Sequence, residues 1–424
     1  MPIRSRTIAL ASAVVSAVVL LTGCAVPGVS STPDTTPRDD PATPPPTITD
    51  PLPRPWRGEA LWTAPFSSEP KAVGSSFVGV VQDREGGDVH FLGVDREGRT
   101  RWSARRDPEC TGFAVTHSTA EESELVVLLD KERDPEQGFL GTRTSASAYD
   151  PDTGELVWGP SDVPGTLVGP GLVFAAVQGS VMSDRTGPKV ALDPNTGDVV
   201  ADEQDGDTVL HEHHGALLVY RDGALRAFGP HGQDLWDHDE LDVPDEVGSG
   251  PVRVRYGPRP ASDSGAALTL TWVSEATDGA GTGEADEPLL YTVHDLRTGQ
   301  RLLTLDPGQE PELLGDGRGR TVVLAVPIGE DEPRIHGTTA SDSAPVWELP
   351  ATSDERLRDL VGGSLYTTDG ERHRVVDADT GAVDLEGDAE HSDLVPLAAL
   401  DDGPVILSVT DENEEPVLAA VPTG

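Results

Sequence analysis

Between residue 61 and the C-terminus, short apolar runs such as 172–177, 217–220, 268–273 and 322–326 alternate with clusters of Gly, Pro, Asp and Thr. Runs of that length, bounded by turn residues and with long helical patterns scarce, read as β-strands. A second pattern is laid over the first: a strand ends in Asp, a Pro or polar pair follows, then Gly, and a few residues later Trp. Ala148 to Gly154 (AYDPDTG) leads to Trp158, and Ala191 to Gly197 (ALDPNTG) is a near copy with Ala201 in the Trp slot. Further copies run from Val94 to Trp102, Ala227 to Trp236, Val293 to Leu303 and Val375 to Leu385, with a degenerate copy ending at Trp347. Each copy predicts a β-hairpin. Asp caps the tight turn with its side chain, Thr supports it, and Gly supplies the left-handed residue that enters the next strand. The Trp then docks a large flat surface between neighbouring sheets.

The copies end near 62, 102, 158, 201, 236, 303, 347 and 385, a mean spacing of about 46 residues, which suits four-stranded propeller blades. The two ends of the chain complete one another. The C-terminus, Val417 to Gly424, stops at the Thr-Gly of the phrase, and the missing Trp strand stands at Gly58 to Trp62. The pattern therefore predicts an all-β chain, a single propeller of eight blades (seven if one degenerate copy is an insertion), closed by an N-terminal strand that completes the last blade and removes the free edges.

The phrase resembles the pyrroloquinoline-quinone-like (PQQ-like) propeller repeat, most closely over 148–158, and the resemblance extends over nearly all of residues 58–424. It implies a fold shared by quinone-dependent dehydrogenases and by non-enzymatic scaffold lipoproteins. Dehydrogenases of the alcohol type use adjacent cysteines, a calcium cluster and a catalytic Asp. This chain has no adjacent cysteines and only 4% aromatic residues. The expectation is therefore a non-enzyme without a cofactor, with a quinone- or metal-dependent enzyme as the alternative.

Upstream, Arg4 and Arg6 precede an uncharged apolar stretch, 8–21, of the length of a signal h-region and short for a membrane span. The following Leu21-Thr22-Gly23-Cys24 resembles the lipobox of bacterial lipoproteins. That resemblance implies a signal peptide over 1–23, lipidation of Cys24 and an extracytoplasmic protein anchored to the cell membrane, because two acyl chains or more anchor stably. Residues 24–57, rich in Pro, Thr and Asp, are expected as a disordered, extended tether, and 58–424 as the propeller. An Arg-heavy, Ala/Gly/Pro-rich composition suggests a high-GC bacterium such as an actinobacterium.

The formal charge of −43 excludes nucleic acid as a partner and favours cations or basic protein surfaces. With Cys24 lipidated, Cys110 has no disulfide partner and is expected half-buried and inert. Among metal candidates, the His211-Glu212-His213-His214 run places His211 and His213 on one side of a strand. Two ligands do not make a site, and the run reads as a surface turn. No Ser-His-Asp set, phosphate-binding loop or paired-Cys site appears. The loops between second and third strands, at 83–88, 131–144, 274–288, 329–333 and 410–416, are long, and most are acidic. They predict a negative rim on one face, with Glu330, Asp331, Glu332, Asp411, Glu412, Glu414 and Glu415 as candidates to bind a basic partner or cations. The expected role is a binding or scaffold lipoprotein with a protein partner or small ligand. An envelope-assembly scaffold, similar to the propeller lipoprotein of the outer-membrane assembly machine, is the alternative.

Overall fold

Successive strands pair antiparallel with their chain neighbours and form eight separate sheets arranged in a ring, a β-propeller. The computed structural model describes residues 35–48, 52, 56, 58–82, 89–133, 142–177, 186–248, 250–257, 265–274, 288–317, 319–327, 332–339, 344–388 and 395–423. These belong to the unit Pro33–Gly424. Numbered in chain order, the strands of blades 1 to 7 lie within 71–106, 113–163, 166–202, 208–237, 252–304, 309–350 and 356–388. Blade 2 is representative, with strands Phe113–Ser118, Ser123–Arg133, Thr142–Tyr149 and Leu156–Val163. Blade 8 is built from both ends of the chain. Ala398–Ala399, Val405–Thr410 and Pro416–Val421 receive Trp62–Thr63 as their outer strand, with Trp62 opposite Ala420 and Thr63 opposite Ala419. The expected count of eight and the expected closure both hold.

The cores lie between blades. Trp102, Phe91 and Val80 of blade 1 pack on Val126, Leu128 and Tyr149 of blade 2, and Trp158 and Leu129 of blade 2 pack on Leu172, Phe174 and Leu192 of blade 3. Each fully buried side chain of this size stabilises by about 1.5–3 kcal/mol.

The recurring phrase supplies a directed bond as well as apolar surface. The indole Nε1 of Trp102 donates to the carbonyl of Pro151 in the next blade at 2.7 Å. Trp158 does the same to Pro194 at 2.7 Å, Trp236 to Leu296 at 2.8 Å, Trp347 to Ala378 at 2.8 Å, and Trp62 to Arg96 at 3.3 Å across the ring closure. In all five the acceptor directly follows the turn Asp. That Asp caps its own turn: Asp150 Oδ1 accepts from Thr153 N at 2.8 Å and Thr153 Oγ1 at 2.7 Å, and Asp377 repeats the arrangement with Thr380. The turn glycine is required twice over. Gly154 has φ +73°, and a Cβ there would stand 2.6 Å from Trp102 Cγ. The side chain forbidden by backbone conformation is also the one that would push the indole out.

Within the stretch 24–57 expected as a disordered tether, the described residues 35–48, 52 and 56 are instead ordered against the propeller. Thr36–Asp40 adds a fifth strand to the outer edge of blade 1, with Thr36 opposite Ser103, Pro37 opposite Trp102 and Asp40 opposite Thr100. Thr43 then bridges Thr63, and Ile48 bridges Asp411. Ile48, Leu52 and Trp56 join the cluster that includes Tyr366, Val375, Leu407 and Val421 of blades 7 and 8. The segment thus straps the seam where the ring closes on a two-residue outer strand. Cys24 lies outside the described residues. Cys110 is buried rather than half-buried, and burial pushes its thiol up to about 11, which keeps it protonated and inert.

Trp102→Phe removes the donor from a buried carbonyl and is expected to cost about 1–3 kcal/mol. Gly154→Ala is expected to cost about 1–3 kcal/mol through its left-handed backbone. Denaturant unfolding of the two variants checks both values. Trp56→Ala should lower stability by about 3–5 kcal/mol. A Trp56→Ala variant as stable as the parent would show that the strap does not hold the seam.

Candidate functional site

In a propeller the first strand of each blade is innermost, so its side chains reach the central channel. Strand alternation puts the first-to-second and third-to-fourth turns on one face, here the turn face, and the second-to-third loops on the other. Bonds confirm the grouping: Ser75 and Ser76, in and beside the first turn of blade 1, donate to Asp152 in the Thr-Gly turn of blade 2 at 2.9 and 2.7 Å.

At the turn face the channel opens into a recess of about 370 Å³ walled by seven blades. Glycines form much of the wall, among them Gly169, Gly315, Gly317 and Gly362, so the backbone lies close to the opening. Facing into it are Glu69 and Lys71 at the start of blade 1, Asp359 in Arg356–Val361 of blade 7, and His213 and His214 of blade 4. Burial, then the Asp359 charge, pushes the Glu69 carboxyl up, with Lys71 acting against them. Burial also pushes Asp359 up, against one backbone bond from Leu360 N at 2.8 Å.

The histidine run is not the surface turn expected from sequence. His211 and Glu212 are fully buried in the innermost strand Thr208–His213, and His214 sits in the tight turn after it at φ +49°. His211 Nδ1 meets Tyr256 Oη at 3.1 Å and Nε2 meets Gly265 O at 3.2 Å. Both ring nitrogens are therefore engaged with blade 5, and His211 is a strut rather than a ligand beside His213. Glu212 accepts from Leu172 N of blade 3 and from Gly215 N at 2.6 Å, tying two turns together. Burial pushes its carboxyl up to about 7, against those two bonds. The His213 and His214 rings stack with centroids 3.8 Å apart, and His117 of blade 2 stands 6.0 Å from His214. Arg297 donates to the His214 carbonyl at 2.7 Å. Burial, then neighbouring His117 and Arg297, lowers His214 to about 4; burial and the adjacent imidazoles hold His213 well below the usual value.

Among the described residues, the one group of three His/Cys/Asp/Glu ligands within 4.8 Å is Asp237, His238 and Asp239, which the sequence reading did not single out. Local capping accounts for it: Asp237 Oδ1 accepts from Asp239 N at 3.1 Å and meets His238 Nδ1 at 2.7 Å.

On the opposite face, Glu330 and Asp331 of the candidate acidic rim lie outside the described residues. Glu332 is exposed in blade 6, and Glu412, Glu414 and Glu415 are exposed in the turn between Val405–Thr410 and Pro416–Val421 of blade 8. Blade 7 stands between the two groups. Asp411 is committed to its own turn, accepting from Asn413 N at 2.8 Å and Glu415 N at 3.0 Å, which holds its carboxyl low.

No protein-family model and no curated relative matches the chain. Among solved structures it is similar to BamB from Moraxella catarrhalis, with 11% identity, 85% of this chain and 99% of that chain covered, and a TM-score of 0.36. It is also similar to the β-propeller domain of the trilobed protease from Pyrococcus furiosus, with 8% identity, 84% and 95% covered, and a TM-score of 0.36.

His213, His214 and the buried His294, whose ring is lowered to about 4, are all depressed in the folded chain. Their contribution is present above the ordinary value of 6.5 and is lost as pH falls through the folded values. Glu212, raised to about 7, acts in the opposite sense over the same range, so the check is a difference: between about pH 6.5 and 4, His214→Asn should lose less melting temperature than the parent. Glu212→Gln, whose amide can accept only one of the two backbone N–H groups, should cost about 1–3 kcal/mol.

Proposed function

We propose that this protein is an exported lipoprotein, anchored through Cys24 on the extracytoplasmic face of the cell membrane, whose PQQ-like propeller is a binding or scaffold module. The anchor reading stands on the basic n-region, the apolar stretch 8–21 and the Leu21-Thr22-Gly23-Cys24 sequence. Strand pairing of 36–40 makes the length available as a spacer shorter than the whole 24–57 stretch. The binding reading stands on one observation above others, the walled recess at the turn face into which carboxylates and imidazoles from separate blades converge. A rigid ring brings such groups together at little cost in ordering, which favours recognition by pre-organised surfaces. The exposed Glu332, Glu412, Glu414 and Glu415 offer a second surface on the other face for a basic partner.

Cys24→Ala should move the protein from the membrane to the soluble fraction in cell fractionation; a variant that stays with the membrane would rule out the lipid anchor. Pull-down from membranes with the lipidated protein should recover a basic partner. Its loss with Glu412→Lys/Glu414→Lys would assign it to the long-loop face, and unchanged recovery would assign it to the turn face.

A further inference from the structure

The recess holds an uneven set of charges. Its cations are taken up by the wall. Lys71 Nζ reaches Phe113 O at 3.4 Å and lies 5.2 Å from the centre of that ring, and Arg320 is gripped by Asp379 at 2.6 Å and Asp316 at 3.1 Å. Glu69 and Asp359, brought together from the first and seventh blades, face the opening with Lys71 as the cation beside Glu69. On the wall formed by blade 4, His213 and His214 present stacked imidazoles, and among the described residues His213 has that ring contact and no hydrogen-bond partner. Burial and Arg297 keep these rings uncharged near neutral pH, so they offer acceptor nitrogens without positive charge. An anion entering the recess would meet Glu69 and Asp359, with Glu124, Asp316 and Asp401 also in the lining, and no protonated imidazole. A group bearing N–H donors and positive charge would meet carboxylates on one side and imidazole acceptors on the other.

We propose that this recess binds a primary ammonium or guanidinium group, presented as a Lys or Arg side chain of a partner polypeptide. The proposal rests on the reading of the propeller as a binding module and deepens it. The recess volume admits an extended basic side chain, and the chain's overall charge of −43 would draw such a partner to the protein.

The test is calorimetric titration of the full-length protein, at about 0.15 M salt to screen diffuse attraction. The probes are an acetylated, amidated Gly-Ser-Lys-Ser-Gly peptide, its Glu counterpart, and spermidine. Glu69→Gln/Asp359→Asn is compared with Glu412→Gln/Glu414→Gln, which removes the same charge from the other face. The expected result is binding of the Lys peptide, no binding of the Glu peptide, tenfold or greater weakening by the recess pair and less than twofold by the rim pair. The recess variant should melt no lower than the parent at pH 7, since burial disfavours both carboxylates, so lost binding cannot be ascribed to unfolding. Equal weakening by both pairs, or binding of the Glu peptide, would overturn the proposal. Tighter binding of spermidine than of the Lys peptide would overturn the assignment to a polypeptide. Failure of the parent protein to bind the Lys peptide while it still captures a membrane partner would overturn the recess assignment and leave the anchored binding module standing.

Discussion

The ring depends on one repeated contact, a tryptophan indole laid on the turn glycine of the next blade with its N–H on the carbonyl after the turn aspartate. The contact makes each turn the docking site of its neighbour. Asp orders the turn, the ordered turn aims the carbonyl, and the absence of a Cβ at Gly lets the indole lie close. Because the same arrangement joins Trp62 to Arg96, it also works across the junction of the two chain ends. Where Trp is replaced, as by Ala201, Leu303 or Leu385, apolar packing remains without the directed bond.

Much of this was legible because the determinants are local. The turn, its cap and the Trp slot fall within about ten residues, so turn chemistry fixes the hairpin before any long-range contact forms. The closing strand was legible because the phrase is split between the two ends. The strap was not. Thr36–Asp40 is mostly exposed and carries Arg38, Asp39 and Asp40 with Pro37 on an outer edge, so it shows no hydrophobic alternation. Its pairing comes from an unsatisfied sheet edge, which composition does not reveal.

The candidate site divides in the same way. Alternation puts His211 and His213 on one side of a strand, but in sequence the run reads as a surface turn; only the ring shows that Thr208–His213 is an innermost strand, that Tyr256 and Gly265 occupy His211, and that His213 and His214 face a recess. Glu69 and Asp359 belong to no motif. They meet because blades 1 and 7 flank the seam in blade 8. A sequence reading that assigned every first strand to the channel wall would have found Asp359, whereas Glu69 lies just before the first strand of blade 1, Lys71–Val73. The acidic loops, by contrast, were conspicuous in sequence, and Asp411 proves to be a turn cap.

A single measurement bears on the central claim, that recognition occurs at the channel opening. Hydrogen–deuterium exchange of the full-length protein, with and without the Lys peptide, reports which backbone amides are shielded. The account predicts protection around 69–72, 213–215 and 357–363 with the loop at 411–415 unchanged. Protection confined to 411–415 and the neighbourhood of Glu332, with the channel opening unaffected, would contradict it.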